Sequence, residues 1–101
     1  MNPCVYFSDL PGDVLAEESI TVADSAIGLT AATLAGKTWA RITNGAQPIR
    51  MAFTADPTTS AGEYLAAYEF RVLGDTNNIR KVRFIRASGT SSVINVQYGV
   101  Y

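Results

Sequence analysis

The sequence contains no histidine and one cysteine among its 101 residues, and only 17% of them are charged. Without histidine there is no Ser–His–acid triad, no Cys–His dyad and no histidine-ligated metal site. A lone Cys4 closes no disulfide within the chain and has no basic neighbour to activate its thiol. There is no apolar run of about 18 residues and no basic stretch leading into an apolar one, so no membrane span or secretory leader is expected. Phosphate loops, dinucleotide fingerprints and calcium loops are also missing. The carboxylates Glu63 and Glu69 stand six residues apart. In an extended strand that is about 20 Å, too far to flank a glycosidic bond. These absences predict a protein that is not an enzyme and needs no cofactor or metal.

What remains is apolar and β-rich. The 48% hydrophobic content supplies a core for one compact domain. Ile20 and Val22 alternate with Thr21, and Ile27 and Leu29 flank Gly28 in a second short extended piece. Thr30 to Gly36 suits either one helical turn or a loop. Trp39, Arg41 and Thr43 alternate with Ala40 and Ile42 up to Asn44-Gly45, a strong hairpin dipeptide. Ile49, Met51 and Phe53 then alternate with Arg50, Ala52 and Thr54 before the loop Asp56 to Gly62. This strand–turn–strand stretch, Trp39 to Gly62, is the most ordered signal in the chain.

Farther on, Glu63 to Ala67 reads as a strand lead-in or a turn. Tyr68, Phe70 and Val72 have the period of a half-buried strand. Gly74 to Asn78 is a polar turn, and Ile79 to Ala87 a strand with Val82, Phe84 and Arg86 on one face. The last strand begins at Val93, with Ile94, Val96, Tyr98 and Val100 on its inner side. Six to eight short strands predict an all-β fold, a small antiparallel β-sandwich or jelly-roll-like barrel. Residues 1–17, punctuated by Pro3, Pro11 and Gly12, form an irregular N-terminal arm; residues 18–101 form the sandwich domain.

Charge is unevenly spread. Residues 1–36 hold five acids and no base, whereas residues 71–101 hold five bases and one acid, Asp75. Either the two segments neutralise each other within a monomer, or the acidic segment of one copy meets the basic strand of the next. The net charge of −1 favours neither nucleic acid nor membrane as a partner. Arginine rows on strands more often bond carboxylates and carbonyls at protein interfaces. Candidate interface residues are therefore Arg41, Arg50, Arg83 and Arg86, with Tyr6 and Phe7 of the arm. Trp39 joins them: with Ala40 and Ile42 inward it points outward, to be covered by the arm or by a partner.

Several short motifs also occur in order: Ile20-Thr21-Val22, Ala26 to Thr30, Pro48-Ile49-Arg50, Asp56-Pro57-Thr58 with Gly62, Val82 to Arg86, and Val96-Gln97-Tyr98. Over residues 18–98 this order and spacing resembles a family of small structural proteins of tailed-bacteriophage virions. The sequence departs from the family pattern at Ala67-Tyr68, and residues 1–17 have no counterpart there. The resemblance implies a capsid decoration, or cement, protein. It would be made in the host cytoplasm and carried on the virion in many copies, as a homo-oligomer (dimer or trimer) bridging major capsid subunits. Two alternatives belong beside it: a head–tail joining, tail or fibre-base component, and a host-surface or carbohydrate-binding module using Trp39 and the tyrosines as platforms.

Overall fold

A computed structural model describes residues 13–101; Cys4, Tyr6 and Phe7 lie outside the described residues. The strands are β1 (Val14–Val22), β2 (Ile27–Gly28), β3 (Trp39–Thr43), β4 (Ile49–Ala52), β5 (Glu63–Leu65), β6 (Phe70–Leu73), β7 (Arg83–Arg86) and β8 (Ser92–Gly99). Two short helices, α1 (Ala31–Leu34) and α2 (Thr76–Lys81), close one end. One sheet has the order β1-β8-β3-β6 and the other β2-β7-β4-β5, and every neighbouring pair is antiparallel. The fold is an all-β sandwich.

The pairing has a simple logic. β1 pairs with β8, β2 with β7, β3 with β6 and β4 with β5. The chain is thus one long hairpin, bent so that successive strands fall in opposite sheets except at its tip, where β4 and β5 pair in one sheet. Contacts of β3 with β8 and of β4 with β7 then complete each sheet. This is the jelly-roll arrangement.

That arrangement corrects the hairpin expected at Asn44-Gly45. β3 and β4 belong to different sheets, so Asn44 and Gly45 form a corner between sheets. The hairpin's tip is the loop between β4 and β5. Gly45 serves the corner through its small size: a Cβ there would lie 2.5 Å from the Val93 carbonyl oxygen. Asn44 is buried and ties the corner to its surroundings. Its Nδ2 donates to the carbonyls of Gln47 (2.7 Å), Ala66 (3.0 Å) and Leu65 (3.2 Å). Its Oδ1 accepts from Ser92 Oγ (2.9 Å) and from the Gly45 amide (2.8 Å). The neighbouring β5–β6 corner is held as well: Asn44 N–H donates to Glu69 O and Tyr68 N–H to Gly45 O.

Between the sheets, Ile20, Val22, Ala40, Ile42, Ile94, Val96 and Tyr98 from one side meet Ile49, Met51, Leu65 and Phe84 from the other. Each such aliphatic or aromatic side chain contributes roughly 1.5–3 kcal/mol by leaving water. The alternation read on β1, β3, β4 and β8 is the one observed. Val100 differs from its expected inward position: it lies past the end of β8 and is exposed. β1 also begins at Val14, so residues 14–17 are ladder residues opposite β8, with a register shift between Val14 and Ala16.

Two further segments depart from expectation. Residues 76–81 form α2 rather than the end of a turn and the start of a strand. Asp75 caps this helix, its carboxylate accepting from the Asn77 amide at 2.7 Å, and Ile79 is buried beneath it. On β6 the apolar row points the wrong way for a core strand. Opposite Ala40 and Ile42 stand Leu73 and Arg71; opposite Arg41 and Thr43 stand Val72 and Phe70. β6 is an edge strand, and pairing with β3 sets its register. Phe70 and Val72 therefore face outward and are exposed.

Candidate interaction surfaces

The candidate interface residues are distributed over both sheets. Trp39 and Arg41 share the outward side of β3, opposite Ala40 and Ile42. Trp39 is nevertheless fully buried within the monomer and offers no free anchor to a partner. Its ring rests on Gly99, whose missing side chain makes the room: a Cβ there would come within 2.3 Å of Trp39 Cζ2. The indole Nε1–H has no hydrogen-bond partner among the described residues. Arg41 is half-buried, its guanidinium 4.4 Å from the centroid of the Phe70 ring. That is a cation–π contact along the outer face of the sheet.

Arg50 and Arg83 occupy the outer face of the other sheet, opposite Ile85 and Ala52 respectively. Arg50 is committed to its own loop. Its Nε donates to Thr59 O (3.1 Å), its Nη1 to Gly62 O (3.0 Å), and its guanidinium sits 5.1 Å from the Tyr64 ring centroid. Gly62 (φ +120°) makes the bend these bonds require. Arg50 fastens the tip of the hairpin. Arg83 lies across Gly28 and reaches Asp56 at 4.0 Å, both side chains exposed. Such a pair is worth little in water. Arg86 shares the inward parity of Phe84 at the end of β7 and is half-buried. The candidates divide between two outer faces, with Trp39 and Arg41 on one sheet and Arg50 and Arg83 on the other.

The expected neutralisation of the acidic segment by the basic one is not seen among the described residues. The two ion pairs found there are Arg71–Glu63 at 2.7 Å and Arg83–Asp56. Glu18 faces inward and serves a structural purpose, its Oε2 accepting from Tyr98 Oη and from the Thr30 amide at 3.3 Å. Burial, then the hydrogen bond to Glu18 and its negative charge, push the Tyr98 hydroxyl far above the ordinary value of 10.0. Folding therefore favours neutral Tyr98. Its contribution is complete below the unfolded value and is lost as pH rises above it, since only the unfolded chain releases the proton. Wild-type protein is expected to lose about 1 kcal/mol more stability than Tyr98→Phe between roughly pH 10 and 11, in urea melts at each pH.

Two surfaces emerge beyond the candidate interface residues. One is an apolar ridge leading into and along the edge strand β6, Tyr68, Phe70 and Val72, all exposed; Tyr64, opposite Arg50, is exposed on the outer face of the other sheet. Tyr68, 72% exposed, is also the one described non-glycine residue with positive φ (65°). An aromatic held in left-handed backbone costs about 1–2 kcal/mol. The other is a basic cleft beside α1 and α2. Arg80 borders three adjoining cavities of 190, 310 and 510 Å³. The Asp75 cap in front of Thr76 was the available signal that Arg80 and Lys81 belong to a helix.

Among the described residues no three His, Cys, Asp or Glu side chains form a metal-holding group. No described helix is long and apolar enough to cross a membrane. No family model, curated protein or solved structure matches the chain.

Proposed function

We propose that this chain is a structural protein of a tailed-phage virion, a capsid decoration protein that binds neighbouring major capsid subunits as a homo-oligomer and carries out no catalysis. The observation that carries this reading is the exposed apolar ridge Tyr68–Phe70–Val72 on the edge strand β6 and the turn before it. Large apolar side chains gathered on one edge of a small domain mark a protein-binding surface. The strained, exposed Tyr68 at its head adds to that reading, since local cost is retained where function needs it. The motif order described above supplies the phage context. Jelly rolls serve both viral capsid and lectin domains, so the fold agrees with the reading without selecting it.

A head–tail or tail location would use the same ridge, and copy number distinguishes the two. Amounts comparable to the major capsid protein in purified particles are expected for decoration; a few copies would move the protein to the connector or tail. Tyr68→Ser with Phe70→Ser, both at exposed positions, is expected to leave folding intact and abolish rebinding to particles stripped of this protein. Undiminished rebinding by that variant would refute the ridge as the contact.

A further inference from the structure

The basic cleft and the first strand are complementary in charge and in apolar content. The 510 Å³ cavity has an apolar floor of Leu29, Ala31, Leu34 and Ala35, with Arg80 and Arg83 at its border. The adjoining cavity adds Lys81. Among the described residues Arg80 and Lys81 have no carboxylate partner, and Arg83 has only the distant, exposed Asp56. Elsewhere, the start of the edge strand β1 exposes Asp13, Leu15 and Glu17, with Leu15, at the register shift, 61% exposed. Neither Asp13 nor Glu17 meets a cation among the described residues. One surface reads acid–aliphatic–acid; the other is an aliphatic floor bordered by arginines.

We infer that β1 of one copy docks in the cleft of a second copy, with Leu15 on the Leu29–Leu34 floor and Asp13 and Glu17 against Arg80 and Arg83. Arginine forks suit carboxylates in such partly desolvated settings. An acidic strand with an aliphatic residue uses the whole lining, whereas a phosphate backbone would leave the floor unused. Glu17 lies on the outer face of one sheet and Arg83 on the outer face of the other. The contact is therefore head-to-tail, closing as a ring or continuing as a chain. This specifies the self-assembly part of the proposed function and holds wherever the protein resides, so particle binding and self-association fail separately.

Two variants at exposed positions test the contact by sedimentation velocity, with circular dichroism as the control for folding. The strand variant carries Asp13→Asn, Leu15→Ser and Glu17→Gln; the cleft variant carries Arg80→Gln and Arg83→Gln. Wild-type protein is expected to assemble beyond the dimer and to dissociate as salt rises. Each variant alone associates at least about tenfold more weakly. Mixed, they form a one-to-one dimer and nothing larger, because one intact strand meets one intact cleft. A monomeric wild type, variants that assemble like wild type, or a mixture that stays monomeric overturns the inference. So does a monomeric wild type that binds an oligonucleotide through Arg80 and Arg83.

Discussion

Asn44→Asp is expected to lower stability by about 4 kcal/mol at neutral pH, more than Asn44→Ala at about 3 kcal/mol. The order follows from the hub that Asn44 builds. Its Nδ2 group serves three carbonyls, two of them on the strand–corner segment Leu65–Ala66 that leads into β6. Alanine leaves those oxygens and Ser92 Oγ without their partner in a site closed to water. Aspartate does worse, because it places a carboxylate oxygen against the same carbonyls. Protonation relieves that conflict, so the gap between the two variants narrows as pH falls toward about 4–5. Urea melts of both variants across pH give the comparison. An aspartate variant no less stable than the alanine variant at neutral pH would show that the corner relies on something other than these donors.

Gly99→Ala is expected to lower stability by about 3 kcal/mol, a fall in Tm of roughly 15 °C for a domain of this size. A Cβ at this position would stand 2.3 Å from Asp13 O and 2.3 and 2.4 Å from Cζ2 and Cε2 of Trp39. None of these atoms is the free end of a flexible side chain. The ring is fully buried, and the carbonyl belongs to the backbone entering β1. Accommodation requires moving the start of that strand or the indole. Gly89→Ala is the control: its Cβ would meet nothing within 4 Å, and a change within about 0.5 kcal/mol is expected. In the Gly99→Ala background, Trp39→Phe is expected to cost less than in wild type, because the smaller ring releases part of the overlap. Additive costs would mean that the glycine is needed for another reason.

The parts of the fold legible in the sequence are those in which period two alone decides. Ile20 and Val22, Ala40 and Ile42, Ile49 and Met51, and Ile94, Val96 and Tyr98 are each inward as their alternation implies. Alternation gives the period but not the sign. On β6 the bulkier row, Phe70 and Val72, lies outside because register with β3 sets it there. The β3–β4 hairpin failed for a related reason: Asn44-Gly45 is a local signal, whereas a jelly roll pairs Val14 with Gly99 and leaves β3 and β4 in separate sheets. Trp39 was correctly placed on the side away from Ala40, yet its cover depends on Gly99, sixty residues away in sequence. Of the candidate arginines, Arg50 lies on the outer face but is bound to its own loop, a bond no spacing rule announces. The outward turn of the ridge and the assembly of the cleft are products of topology, which only the folded chain creates.

The central claim, that this jelly roll fastens capsid subunits, is tested most directly by heat survival of virions made without it. The account predicts that such particles lose their genome at lower temperature than complete ones, and that added wild-type protein restores survival while the Tyr68→Ser, Phe70→Ser variant does not. Particles that survive heating equally well with and without the protein would contradict it.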